Sequence, residues 1–241
     1  MNNQEKLLKA ITSLEQSEKR GTENGLKELA SLHGKYGMKY NDSLANDYLY
    51  AAAQYYFYEN NYDESKSMLF EYISRDDSTE RFRNAALNLA QIQAKEGKYK
   101  QADELVSETL DKMLPTSAQW QDIIGLYADK ISNSESTPTD YERIALAYTA
   151  TAQYNKALMN LDSAIAKFPE YEKRGDLMYR AGFIGWDFLN NKTIATNYYN
   201  QFLAAYPEDP KAAEVKKILS SGMLDMNDEQ ILEMLKGNAN N

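Results

Sequence analysis

The chain has 241 residues, a net charge of −9 and a sequence pI near 4.8. A field of that sign repels phosphate backbones and argues against a nucleic-acid partner, and no apolar run approaches the roughly 18–20 residues of a membrane span. With no Cys, disulfides and thiol chemistry are excluded, although no compartment is fixed. Few Gly and Pro beside many Ala, Leu, Lys, Glu and Gln predict helix throughout.

The first predicted elements are a helical pair over 5–39. Leu7, Leu8, Ile11 and Leu14 on the first helix are expected to face Leu26, Leu29 and Leu32 on the second. The stretch 48–62 follows, with aromatic residues on every side of a helix. Residues 117–131 read as one more helix, with Trp120, Ile123, Ile124 and Tyr127 at apolar spacing. Residues 132–139, rich in Ser, Thr and Pro, read as a loop. This region is the expected place for a kink or a division into two lobes.

The segment from Tyr141 to Pro169 carries the clearest pattern. Ile144, Ala145 and Tyr148 share one stripe of a helix expected over 140–151. Ala157, Leu161 and Ala164 share the matching stripe of a helix expected over 154–167. Small residues at 145 and 157 let the two backbones approach, and the larger ones interlock around them. The turn Ala152-Gln153 is short, so the two helices run antiparallel. Phe168-Pro169 ends the second helix, because the residue before a proline avoids the helical region. Beyond the next pair, 208–221 is expected to cap the array with a polar face of Lys211, Glu214, Lys216 and Lys217. A last helix is expected over 227–236, with Ile231, Leu232 and Leu235, and the polar tail 237–241 is expected to be disordered.

The order aromatic, aliphatic, small, Tyr, Ala, large apolar and closing Pro within 34 residues resembles the tetratricopeptide repeat (TPR) family. The same ruler fits from Asn46 (Leu49, Ala52, Ala53, Tyr56, Tyr62, Ser65, Leu69, Tyr72). It fits from Arg83 (Ala86, Leu89, Ala90, Gly97, Tyr99, Ala102, Val106, Thr109) and from Asp176 (Tyr179, Gly182, Trp186, Ala195, Tyr199, Phe202, Pro207). Departures are Ser65 for Ala, Gln93 for Tyr and Phe183 for a small residue, and Phe183 would push its helices apart unless Ala181 or Gly182 takes the close contact. The resemblance implies an all-α, right-handed superhelical solenoid. Its units are a degenerate pair at 5–39, repeats at 46–79, 83–116, 138–171 and 176–209, an extra helix and connector at 117–137, and capping helices at 210–236.

Motifs of chemistry are absent. His33 is the only histidine and sits beside Gly34, where it reads as a surface or helix-end residue. One His without Cys builds none of the usual zinc sites. No nucleophile elbow, phosphate loop or dinucleotide fingerprint occurs. Asp76-Asp77 and the group Asp225, Asp228 and Glu229 are the densest acids, and neither has the alternating oxygens and central Gly of a calcium loop. Asn41-Asp42-Ser43 and Asn191-Lys192-Thr193 match the N-glycosylation triplet, a pattern frequent by chance.

By the resemblance, motif places 2, 5, 9, 12 and 13 of the first helices line a concave groove. Here those places hold Asp47, Tyr50, Gln54, Phe57 and Tyr58; then Asn84, Leu87, Gln91, Ala94 and Lys95; then Thr139, Glu142, Leu146, Thr149 and Ala150; then Leu177, Arg180, Ile184, Asp187 and Phe188. Tyr50 and Gln54 stand where the chaperone-tail clamp of the family has Lys and Asn, which argues against that ligand. The expected contacts are Tyr50, Gln54, Phe57, Tyr58, Asn84, Gln91, Lys95 and Arg180, with Tyr50 and Tyr58 equally readable as interhelix packing.

The expected function is a non-enzymatic scaffold or adaptor without cofactor or metal, holding a protein or peptide. The alternatives are a self-associating subunit of an envelope complex and a receptor for a short peptide or sugar. The oligomeric state stays open. Phe202, Tyr206-Pro207 and Asp209-Pro210-Lys211-Ala212-Ala213 resemble repeat ends of periplasmic TPR proteins. The polar start Met-Asn-Asn-Gln fits an expression Met on a mature chain whose export signal, with or without a lipid anchor, was removed. That reading places the protein in the periplasm or at the outer membrane; without it, the cytoplasm is expected.

Overall fold

The computed structural model describes residues 2–75, 79–112, 114–133 and 135–239. The fold is all-helical: 82% of it is helix, so only short connections remain, and no strand occurs among the described residues. The helices are α1 (Asn3–Glu15), α2 (Glu23–Lys39), α3 (Ser43–Tyr58), α4 (Tyr62–Arg75), α5 (Glu80–Lys95), α6 (Tyr99–Lys112) and α7 (Ser117–Asn133). They continue as α8 (Pro138–Ala150), α9 (Tyr154–Lys167), α10 (Arg174–Phe183), α11 (Lys192–Ala205), α12 (Ala212–Ser220) and α13 (Asp228–Ala239). Consecutive helices pack as pairs. No described helix is long and apolar enough to cross a membrane.

The chain divides into two compact units, Met1–Leu126 and Tyr127–Asn241, so the boundary falls inside α7. Unit 1 has one core around Ile11, Tyr36 and Ala45 and another around Leu49, Leu69, Leu89 and Ile92. In unit 2 a cluster runs from Tyr141 through Leu161, Tyr199 and Phe202 to Val215 and Leu224.

Four helix pairs close with the same turn. Asn60, Gly97, Ala152 and Asn190 all have positive φ, at +60°, +74°, +57° and +46°. Each is the fifteenth residue counted from 46, 83, 138 and 176, the repeat starts read from the sequence. In three pairs the next N–H reaches back over the turn: Asn61 to the Tyr56 carbonyl, Lys98 to Gln93 and Gln153 to Tyr148, each at 2.8 Å. This is the bond that ends a helix through a left-handed residue. In the fourth pair Asn191 reaches one residue further, to the Gly185 carbonyl at 2.7 Å. The extra residue is taken up by a π-helical segment, Ile184–Phe188, which continues α10.

Gly182 and Gly185 allow α10 and that segment to lie close on α11. A Cβ on Gly182 would stand 2.5 Å from the Tyr199 ring, and one on Gly185 would stand 2.6 Å from Ile194. Gly182 and the buried Ala181 thus take the close contact, and Phe183 turns outward with 36% of its surface exposed. The other departures also have physical answers. Ser65 is buried, and its hydroxyl donates to the Ala53 carbonyl at 2.9 Å, replacing an alanine contact by a bond between α4 and α3. Gln93 is buried where a Tyr would reach outward, and its Oε1 has no hydrogen-bond partner among the described residues.

Several sequence expectations need correction. His33 is neither a surface nor a helix-end residue. It is buried within α2, its ring stacked 4.2 Å from Tyr48 and its Nε2 3.6 Å from a Glu15 carboxylate oxygen. Leu26 does not face α1 but is 44% exposed, while Leu29 and Leu32 join that core as expected. The first helix stops at Glu15 and yields to a 3-10 turn, Glu18–Gly21. The loop expected over 132–139 is shorter. Ser132 and Asn133 bond back to the Ala128 and Asp129 carbonyls, which prolongs α7. Pro138 opens α8, where a missing N–H costs nothing, and the Asp140 carboxylate accepts from the Thr137 N–H at 2.7 Å. Asp76, Asp77, residue 134, residues 240–241 and the side chains of Asp228 and Leu235 lie outside the described residues.

Candidate functional site

In unit 1 the expected contacts sit on α3 and α5, and four of them, Tyr50, Gln54, Asn84 and Gln91, are bonded to side chains of a neighbouring helix. Arg81 donates to Asp47, Asn84 Nδ2 donates to the Tyr50 hydroxyl at 3.3 Å, and Asn88 Nδ2 donates to Gln54 Oε1 at 3.0 Å. Each of these pairs is 34 residues apart. The ladder continues onto α7, where Gln119 Nε2 donates to Asn84 Oδ1 at 2.7 Å and Gln91 bonds to Asp122. The amides expected to hold an extended peptide are therefore holding neighbouring helices together, and only Gln54 Nε2 among them is buried without a partner among the described residues.

The aromatic residues divide likewise. Tyr50 is half-buried, its ring 5.2 Å from Tyr72, with the Arg81 guanidinium 5.5 Å from its centroid. Burial raises its phenol pKa, and the Asn84 bond opposes the shift. Phe57 is half-buried against the Leu49 core and Tyr62. Tyr58 is 73% exposed. Lys95 is exposed, with its ammonium 5.5 Å from the Tyr62 centroid. The groove places Leu87 and Ala94 are buried and face no solvent.

In unit 2 the corresponding helices are α8 and α10, with the start of α12. They enclose a cleft of about 720 Å³. Its wall includes Thr139, Glu142 and Leu146 from the expected groove places, together with Arg180. Leu177 and Ile184, also expected there, are buried instead. The carboxylates of the wall are engaged. Glu142 accepts from the Tyr171 hydroxyl at 2.8 Å, and burial together with this carboxylate pushes the Tyr171 phenol up to about 12. Asp176 pairs with Lys211 at 2.7 Å, and beside them the Tyr179 hydroxyl donates to Glu214 at 3.0 Å. Arg180 makes no ion pair or side-chain hydrogen bond with a described residue. Leu146 and Phe183 leave 39% and 36% of their surface exposed in the same wall.

Arg180 alone of the eight expected contacts belongs to this cleft; the other seven are in unit 1. Lys173, Lys211 and Phe183 were not legible as site residues. The two lysines lie outside the motif places, and Phe183 reads from the sequence as a packing misfit. Among the described residues no group of three His, Cys, Asp or Glu side chains is placed to hold a metal ion. Asp225 pairs with Lys192, and Asn191 caps α11 by accepting from the Ile194 N–H at 3.1 Å. The chain matches no protein-family model and no curated protein.

Proposed function

We propose that this chain is a non-enzymatic protein-binding module of TPR type, with the α8/α10/α12 cleft as the seat for a peptide segment of its partner. The observation that carries the reading is the state of that cleft: an arginine without an ion pair among the described residues stands beside two exposed apolar side chains, while both carboxylates of the wall are engaged. A half-buried guanidinium has lost part of its hydration and gains a carboxylate bond at small further cost. Exposed Leu and Phe side chains in a concave wall gain from burial against a partner.

The TPR assignment is supported by two regularities. Four left-handed turns recur at the same place of four helix pairs. Hydrogen bonds join successive first helices across 34 or 35 residues, in unit 1 through Asn84 and in unit 2 through Tyr179–Glu214 and Lys211–Asp176. That distance is one repeat of the family. Within each unit this regular offset fits stacked repeats of that length.

The test is cross-linking in the native host followed by capture through a C-terminal tag, comparing the unaltered chain with a Leu146→Ser, Phe183→Ser double variant. The reading expects one dominant partner that the double variant loses while keeping its helical circular dichroism. A partner retained by the double variant and lost by Tyr58→Ala would move the site to unit 1. An activity on a metabolite panel with no protein captured would overturn the reading.

A further inference from the structure

The charge of the cleft runs against that of the chain. The protein carries −9 overall, yet the cleft wall holds four cations, Arg143, Lys173, Arg180 and Lys211, and only two carboxylates, Glu142 and Asp176. Asp176 is committed to Lys211, and Glu142 already accepts from Tyr171. The surplus is positive, and Arg180 makes no ion pair with a described residue to spend it on. A concave, partly apolar wall concentrates such a field, because less water is present to screen it.

From this we infer that the cleft selects an acidic peptide segment: a carboxylate on the Arg180 guanidinium and a neighbouring apolar side chain on Leu146 and Phe183. The inference rests on the peptide-binding reading above and adds the chemistry of the ligand. Arg180 and Phe183 are three residues apart on α10 and so share a face, which puts charge recognition and apolar contact side by side. Guanidinium geometry matches a carboxylate through two parallel N–H bonds. A polyphosphate strand fits less well. Its successive charges would meet Glu142 and Asp176 in the same wall and the negative field of the rest of the chain.

The test is fluorescence anisotropy of the full chain with labelled short synthetic peptides. Each carries a central Leu or Phe flanked by acidic, by basic or by neutral polar residues, and a single-stranded oligonucleotide of similar charge is run beside them. The acidic set is expected to bind about tenfold or more tighter than the neutral one, the gain of a charge-assisted pair. Raising the salt should narrow that gap. Arg180→Glu should reverse the preference toward the basic set, and Lys95→Glu in unit 1 should leave it unchanged. Arg180 makes no ion pair with a described residue, so Arg180→Glu should also keep the wild-type melting temperature.

Acidic and neutral sets bound alike, or an Arg180→Glu variant with unaltered preference, would overturn the acidic selection and leave the peptide groove standing. Tighter binding of the oligonucleotide than of any peptide would overturn it in favour of a phosphate ligand. Binding of no probe at all would remove the groove reading and this inference together.

Discussion

The two units differ in what their first helices leave open. In unit 1, α3 and α5 spend their polar side chains on each other, through Tyr50, Asn84, Gln54 and Asn88, and leave Tyr58 and Lys95 at the surface. In unit 2, α8 and α10 keep a cleft with an arginine that makes no ion pair with a described residue. The difference teaches that one motif place can serve cohesion in one pair and recognition in the next. What separates the two uses is whether the residue about 34 positions on bonds to that motif place or to a neighbour of it. Tyr50 finds Asn84, whereas the residue 34 positions after Arg180 is Glu214, which accepts from the neighbouring Tyr179 hydroxyl instead.

The largest effect should come from the buried charge of unit 2. Lys130 pairs with Asp140, whose side chain is fully buried. Removing one partner strands the other, so Lys130→Ala should destabilise by about 3–5 kcal/mol in urea unfolding. A loss no greater than that of Asn84→Ala would mean that unit 2 tolerates an unpaired charge in its interior, and the contrast drawn with the neutral ladder of unit 1 would weaken.

Next comes the pair that separates cohesion from exposure inside unit 1. Tyr50→Ala removes a ring packed on Tyr72 and should cost about 2 kcal/mol. Tyr58→Ala, at a position 73% exposed, should stay within about 0.5 kcal/mol. Equal and small losses would return Tyr50 to the list of ligand contacts.

How far the sequence carried can be judged from these residues. Helix identity and pairing were legible because apolar spacing reports the core directly: α9 runs over Tyr154–Lys167 as the pattern around Leu161 requires. The pairing of Asn84 with Tyr50 and Gln119 was not legible, because an amide reads the same whether it faces a ligand or the next helix. His33 was misplaced for a related reason. Its neighbour Gly34 suggested a helix end, whereas that glycine lets α2 pass close to Met68, where a Cβ would stand 2.5 Å from the methyl group. Arg180 was found by motif place, but its lysine neighbours come from helix starts that the motif does not describe.

A smaller effect tests the shared turn. Ala152 holds φ at +57°, a region that costs an L-residue about 1 kcal/mol and glycine little. Ala152→Gly should therefore raise stability by about 1 kcal/mol or slightly less, whereas Gly97→Ala, at φ +74° in unit 1, should lower it by a similar amount. Opposite signs at equivalent places would sharpen the equivalence of the four turns, and equal signs would break it.

The last effect is a pH dependence peculiar to unit 1. Burial lowers the pKa of His33, and Glu15 only partly restores it. The folded state then binds its proton less readily than the unfolded chain, whose histidine titrates near 6.5. Stability should be full above that pH and fall as the pH drops through it toward the folded pKa. With no second histidine in the chain, His33→Phe should flatten the curve in that window. A wild-type curve that rises on acidification would show that the Glu15 contact outweighs burial.

The most direct measurement is site-specific photocross-linking in the native host, with the reactive group placed at Phe183 in one strain and at Tyr58 in another. The account predicts one dominant protein adduct at 183, attached through an acidic segment and lost with Arg180→Glu, and no such adduct at 58. An adduct at 58 with none at 183 would contradict it, because the partner would then be held by the unit whose first helices are closed on themselves.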